Sequence, residues 1–442
     1  MSGRTVVRDI DLADPLPRVP AVGADGRPVT GAWLLVRLFT EPIGTVLVDV
    51  PEQGLGPAEL AAAVAVELGT DLRHRLAAHG LVGLPAGGVT PRGEPAFLAR
   101  RRQVLATAPH ITVVVCTRER PGSLARCLES LLAQDYPGYS ILVVDNAPVS
   151  GATAEVVRAA ARRGPVDYLV ERTPGLSYAR NAAVAAAAHR ILAWIDDDEV
   201  ADPHWLAEIA RALADHPEAG VISGVIVPAE LETDAQRWFE QFGGHSKGRG
   251  FRPAVFGPSH PQSPLYPLPP FGTGANMTFR PGVIERIGGF DTALGAGTPA
   301  MGAEDTLAFT RVLLDGGTIV YQPTAVTHHY HRRDYDGLRR QMTGYGVGLT
   351  AAYTSLLLSR PRLVWPLLRL APAALRDLRP PSVGGRGGFP RELLRANRRG
   401  MLAGPRAYVQ GRQAASLAGR RRRATDRGAT DAGLRRSSEI SD

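Results

Sequence analysis

The chain is expected to fold around an α/β core, a mostly parallel sheet flanked by helices. A small α+β module should precede it, and a helical, arginine-rich extension should follow. Three observations predict this. From Ile111 onward, short apolar runs alternate with segments of helical periodicity. ITVVVC at 111–116 is continuously apolar, as a strand covered on both faces should be. Chemically useful polar residues, Thr117, Asp145 and Asp196 to Glu199, directly follow three of the apolar runs.

Residues 1–30 are rich in Pro, Gly and Asp and read as irregular. Within 31–95, AWLLVRLF and TVLVDV predict a hairpin around Glu41-Pro42-Ile43-Gly44. A helix should run from Pro57 to about Ala78, with Leu60, Ala61, Val64 and Leu68 on one face. The run 84–95 is a Gly/Pro linker. The α/β domain spans 108–348. Its helices are expected near 124–132, 153–163, 177–188 and 302–317, with strands at 140–145, 167–171, 191–196, 220–227 and 318–326. Asp202 is placed as the cap of a helix with Pro203 first, burying Trp205, Leu206, Ile209 and Leu213. Residues 243–270 lack periodicity and read as a functional loop, a cover for substrate. Residues 349–424 form a helical basic region, and 425–442 a disordered tail.

Net charge is +8, but eleven arginines and one acid lie between Arg386 and Arg423. The rest, 51 less 11 basic and 43 less 1 acidic residues, is near neutral, which excludes a nucleic-acid-binding core. Two cysteines, Cys116 and Cys127, allow neither a disulfide framework nor a zinc site. The first twenty residues lack the apolar run of a secretory signal. No run of about eighteen apolar residues occurs, so a transmembrane helix is not expected. The expected location is cytoplasmic. Loose attachment to the inner face of the plasma membrane would come from Leu356, Leu357, Leu358, Leu363, Val364, Trp365, Leu367 and Leu368, with the arginines beyond attracting anionic lipid.

Open parallel sheets bind ligands at the carboxyl ends of their strands. Asp196-Asp197-Asp198 stands at such an end. Carboxylates this close repel unless a cation neutralises them, and they are hard ligands suited to Mg²⁺ or Mn²⁺. A solvated acidic turn is the plainer reading of three aspartates, but the position after a buried strand favours metal. TGANMTF at 273–279 has small residues through which backbone could approach a sugar, so Gly274 and Asn276 are candidate acceptor contacts. Trp238, Phe239 and Phe242 could stack on an acceptor ring, although core packing is the safer assignment.

VVVCTRERPGSLARCLESLLAQDYPGYSILVVDNAP, ERTPGLSYARNAA and LAWIDDDE, followed in order by TGANMTFRP, GGFD, GAEDTLAFTR and AVTHHYHRR, resemble glycosyltransferase family 2. The likeness covers about Ile111 to Gly348. It implies a GT-A-type fold and an inverting transfer from a nucleotide-diphosphate sugar to an acceptor hydroxyl. The acceptor would be a glycan, a lipid-linked glycan or a small molecule. By the resemblance, Thr117, Arg118, Asp145, Arg180, Asp196 and Asp197 bind the nucleotide sugar, and Asp198 binds the metal. Asp305 is the base, with Glu304 beside it orienting the acceptor. His329 completes the metal site, with His328 and His331 as rivals. A nucleotidyltransferase, a non-catalytic nucleotide-sugar binder and an adaptor built on the N-terminal module are the competing functions. CTRERPGS lacks the glycine density of a nucleotidyltransferase phosphate loop, and retention of both acidic clusters argues against a mere binder.

Overall fold

The computed structural model describes residues 4–261, 263–265, 271–377 and 389–438. The chain opens with β1 (Arg4–Asp11), β2 (Val29–Leu38) and β3 (Glu41–Asp49), then α1 (Pro57–Ala78) and α2 (Ala96–Leu105). The hairpin and α1 are present, but the turn is Phe39-Thr40, both at positive φ, and Glu41 to Gly44 already pair within β3; Leu60, Ala61 and Val64 are buried on the predicted face, while Leu68 is half-buried. The N-terminal segment is not irregular throughout. β1 pairs in parallel with β2, completing a three-stranded sheet. It escaped notice because most of its side chains are only partly covered, so RTVVRDID has little apolar contrast.

The α/β domain continues with β4 (Ile111–Thr117), α3 (Pro121–Leu132), β5 (Tyr139–Asn146), α4 (Ala152–Ala161) and β6 (Val166–Glu171). Next come α5 (Leu176–Ala186), β7 (Ile191–Asp196), β8 (Glu199–Ala201), α6 (Trp205–Asp215) and β9 (Val221–Pro228). Then follow α7 (Asp234–Gln241), β10 (Ala254–Phe256), β11 (Asn276–Phe279), α8 (Val283–Arg286), α9 (Glu304–Leu314) and β12 (Ile319–His329). The sheet order is β10-β12-β9-β11-β7-β4-β5-β6, with β8 on β12. β4, β5, β6 and β7 are parallel, as are β9 and β12, while β11 runs against its neighbours β7 and β9. The expected mostly parallel sheet with flanking helices is therefore present. Val113 and Val115 face one apolar core with α3 and α6, whereas Val114 faces the other with α5. Both faces of β4 are covered, which is why its sequence shows no alternation.

Two local expectations change. The helix after Pro203 begins at Trp205, and Asp202 serves a different end. One of its oxygens accepts from the His204 amide at 2.9 Å, while the other meets the Arg37 guanidinium of β2 at 2.5 Å. Arg37 also grips Asp9, so this buried ion pair fastens the N-terminal sheet to the α/β domain. Within 243–270, β10 pairs with the edge of β12, so part of that stretch is ordered sheet. Residues 262 and 266–270 lie outside the described residues.

The C-terminal region is helical as expected: α10 (Tyr335–Ser359), α11 (Val364–Asp377) and α12 (Arg391–Ser438). α12 runs past residue 424 to Ser438, so the part of the expected disordered tail that is described is helical; residues 439–442 lie outside the described residues. α12 lies tightly along α10. A Cβ on Gly346 would stand 1.9 Å from the Asn397 carbonyl oxygen, and one on Gly400 would stand 2.3 Å from that of Thr343. Only glycine permits this approach, and the approach makes α12 a wall of the cleft described below.

Candidate active site

Pairing register assembles the site. Thr117 sits beside Asp145, and Cys116 beside Asp196, so the carboxyl ends of β4, β5 and β7 form one edge. A cleft of about 1150 Å³ opens there. Thr117, Arg118, Asp196, Asp197, Asp198, Arg180, Gly274, Glu304, Asp305 and His329 all line it. Of the twelve predicted site residues, only Asp145 and Asn276 do not.

The aspartate cluster is held by cations. Thr117 Oγ1 donates to Asp197 Oδ2 at 2.6 Å. Arg120 Nη1 reaches Asp197 Oδ1 and Asp198 Oδ2, each at 3.1 Å. Arg332 stands 3.7 Å from Asp198, and His329 Nε2 stands 3.4 Å from Asp198 Oδ1. Burial would raise the Asp198 carboxyl, but His329, Arg120 and Arg332 together hold it well below the usual carboxylate range. Burial does prevail at Asp197, which rises to about 6 against the pull of Arg120. Asp198 therefore stays ionised while its neighbour is close to neutral pH.

Among the three rival histidines only His329 reaches Asp198. His328 points to the other side of β12, toward Asp9 and Asp202, and His331 is bonded to Glu240. Adjacent strand residues face opposite ways, which separates His328 from His329 at the end of β12. One ionised carboxylate and one imidazole nitrogen, 3.4 Å apart on a cleft wall, form a donor pair suited to a divalent ion such as Mn²⁺. The residues fit such an ion.

The floor is built around Arg180, which is buried. Its Nη1 donates to Glu304 Oε1 at 2.8 Å, its Nη2 donates to the Gly274 carbonyl at 3.0 Å, and Asp196 lies 3.8 Å away. Burial raises the Glu304 carboxyl to about 7 despite Arg180. Glu304 thus has one oxygen committed to the floor, which limits its freedom to orient an acceptor. Asp305, one residue into α9, turns to the cleft. The Gly274 amide donates to its Oδ2 at 2.5 Å, and the Thr306 amide to its Oδ1 at 2.6 Å. A Cβ on Gly274 would fall 2.8 Å from the Arg180 guanidinium and 2.9 Å from Asp305 Cβ, so a side chain there would push the two apart.

Two predicted contacts are located elsewhere. Asn276 is almost fully buried. Its amide nitrogen donates to the Val225 and Ala325 carbonyls at 3.0 and 2.9 Å, and its oxygen accepts from Trp205 Nε1 at 3.0 Å. It joins β11, β9, β12 and α6, and it does not reach an acceptor. The hydrogen-bonding capacity that suggested sugar contact is used up inside the sheet. Asp145 is also enclosed, accepting from the Tyr168 hydroxyl at 2.7 Å, and the next residue, Asn146, lines the cleft instead.

The prediction from sequence missed the far wall. Gln341, Gly344 and Tyr345 of α10, with Leu394, Asn397 and Met401 of α12, line the same cleft. The available signal was the glycine spacing at 344, 346, 348, 400 and 404, which marks two helices in close contact. Phe242 lines the cleft as well, whereas Phe239 is buried and packs its ring on His331.

Residues 112–288 match the family model "Glycosyl transferase family 2". The chain is 26% identical over 243 residues to the glucosyl-dolichyl phosphate glucuronosyltransferase of Haloferax volcanii, covering 52% of this chain and 72% of that protein. It is 30% identical over 227 residues to the succinoglycan biosynthesis protein ExoM of Rhizobium meliloti, covering 50% of this chain and 66% of that one. A solved mannosyltransferase from Pyrobaculum calidifontis, in complex with GDP-Man and Mn²⁺, aligns with a TM-score of 0.42 and 21% identity over 76% of this chain and 86% of its own. The family match and the curated relatives place the protein among glycosyltransferases. Residues 112–288 therefore carry a glycosyltransferase family 2 domain, set in the mixed α/β core described above.

Proposed function

We propose that the enzyme transfers a sugar, with inversion, from a nucleotide-diphosphate sugar to an acceptor hydroxyl in glycan, glycolipid or small-molecule biosynthesis. The observation that carries this reading is the meeting of Asp305 with the Asp198–His329 pair on one cleft. Asp198 and His329 would hold Mg²⁺ or Mn²⁺, which when bound neutralises the diphosphate leaving group. Thr117, Arg118 and Asn146 line the side where the nucleotide would lie. Arg180 holds the floor loop at Gly274, and with it the position of Asp305. Asp305 takes the proton from the acceptor hydroxyl as that oxygen attacks the anomeric carbon. One base is enough for a single displacement, and no second carboxylate nucleophile is required. The far wall from α10 and α12 is then the natural acceptor side. NMR of the first-formed product tests the mechanism: inverted anomeric configuration is expected, and retention rejects single displacement.

A nucleotidyltransferase remains the second chemistry for such a site, but the 117–123 turn leads into α3 without a glycine-rich phosphate loop.

Peripheral membrane contact belongs to the same proposal. Among the described residues no helix is long and apolar enough to cross a membrane. α11, however, is apolar on two sides. Leu363, just before it, Leu367 and Leu370 pack inward, against a core that includes Leu356 and Tyr408. Leu358, Val364, Trp365 and Leu368 remain exposed, Trp365 at 68%, with Arg362 and Arg369 beside them. An outward Trp and aliphatic residues flanked by arginines suit an anionic interface. The protein should float with anionic liposomes and less so as a Trp365→Glu, Leu368→Glu variant. Sedimentation of the parent without lipid would refute attachment.

A further inference from the structure

His329 is held from the side facing away from Asp198. Its Nδ1 lies 2.9 Å from Nδ1 of His331. The other nitrogen of His331, Nε2, lies 2.8 Å from Oε1 of Glu240 on α7. Both imidazoles are buried. A chain of side chains, Glu240, His331, His329 and Asp198, therefore runs from α7 to the proposed metal corner.

The proton positions follow from what each group can do. An ionised Glu240 only accepts, so His331 Nε2 carries a hydrogen. The neutral His331 ring then has its lone pair on Nδ1 and accepts from Nδ1–H of His329. In the neutral, metal-binding form of His329 that leaves the lone pair on Nε2, the atom 3.4 Å from Asp198 Oδ1. A lone pair facing a carboxylate oxygen is an arrangement that calls for a cation alongside.

We infer that Glu240 and His331 are positioning residues that fix the tautomer and ring orientation of His329 for a divalent ion. The inference rests on the reading of Asp198 and His329 as that ion's ligands. Surrounding structure braces the chain at both residues. The Phe239 ring meets His331 edge-on, with centroids 4.8 Å apart. α7 opens on a capping box in which Thr233 and Gln236 satisfy each other's end of the helix, and Gln236 Nε2 also donates to the His331 carbonyl at 3.4 Å. After α7 the chain turns over Glu240 at Gly244, where φ is +53° and a Cβ would fall 2.3 Å from Glu240 Oε1. Supporting groups of this kind orient ligating imidazoles and raise their basicity, and losing one typically weakens metal binding by about 10–100-fold.

A rival arrangement uses the same rings. His245, His329 and His331 offer nitrogens within 4.8 Å of one another, a set that would take a softer ion such as Zn²⁺ by imidazoles alone. In that arrangement Glu240 would have no part in binding at Asp198.

The test is Mn²⁺ affinity of the full chain by calorimetry, alone and with UDP or GDP, which does not depend on turnover. Glu240→Leu and His331→Leu should each weaken Mn²⁺ by about 10–100-fold. The double variant should do little more than either, because both break one chain. Glu240→Gln keeps an acceptor for His331 and should retain most of the affinity. Parental affinity in a folded Glu240→Leu protein overturns the inference, as does Zn²⁺ binding that depends on His245 while Mn²⁺ ignores Glu240. A parent that binds no Mn²⁺ under any of these conditions removes the Asp198–His329 reading itself. Should Glu240→Leu fail to fold, ¹⁵N NMR of the metal-free parent decides. The hydrogen of neutral His329 is expected on Nδ1, and finding it on Nε2 overturns the proposal.

Discussion

Asp305→Asn should lower sugar transfer by roughly 10²–10⁴-fold, the usual scale for losing a general base, while folding and nucleotide binding survive. The side chain lies open to the cleft at the start of α9 and receives the Gly274 and Thr306 amides. Asparagine keeps its shape and one acceptor oxygen. Its NH₂ would oppose one of the two backbone donors, at a cost of about 1–3 kcal/mol in stability. Activity should therefore fall far more than stability. Glu304→Gln is predicted to reverse that balance. Above about pH 7, where the Glu304 carboxyl is ionised, it removes the charged partner of buried Arg180, and breaking a buried pair costs about 3–5 kcal/mol. Melting temperature, nucleotide binding and transfer rate, measured on both variants, separate the two residues. Near-normal transfer by Asp305→Asn would take it out of the chemistry.

Asp198→Asn, or a chelator applied to the parent, should have the next largest effect. Asp198 is the carboxylate most firmly kept ionised, and the one facing His329. A neutral amide is a poorer ligand for a hard cation, so Mn²⁺ affinity should fall by about 10²-fold, with donor affinity falling alongside it. The variant should still fold, since Asn can accept from Arg120. Transfer unchanged in chelator would sink the metal reading whatever the variant does.

How much could be seen in the sequence depended on whether a residue's role was local. The β4, β5 and β7 ends were legible because continuous apolar runs stop abruptly at Thr117, Asp145 and Asp196. Strand register then brings them together without further information. His329 was separable from His328 by strand parity, though not from His331, whose engagement with Glu240 depends on where α7 packs. Asn276 misled because its amide could equally serve a sugar or the carbonyls of β9 and β12, and only the antiparallel insertion of β11 decides between them. Asp202 misled for a similar reason: its partner Arg37 lies 165 residues away. The α12 wall was hidden because its approach to α10 is a tertiary event, recorded only as scattered glycines whose meaning needs both helices at once.

The chemistry proposed for this cleft is divalent-metal-dependent transfer of sugar from a nucleotide diphosphate. The most direct measurement is release of free nucleoside diphosphate from a panel of nucleotide sugars, with Mn²⁺ or Mg²⁺ and again in chelator, for the parent and Asp198→Asn. Release from at least one donor is expected, dependent on metal and lost in the variant. No release from any donor, or equal release in chelator, would contradict it.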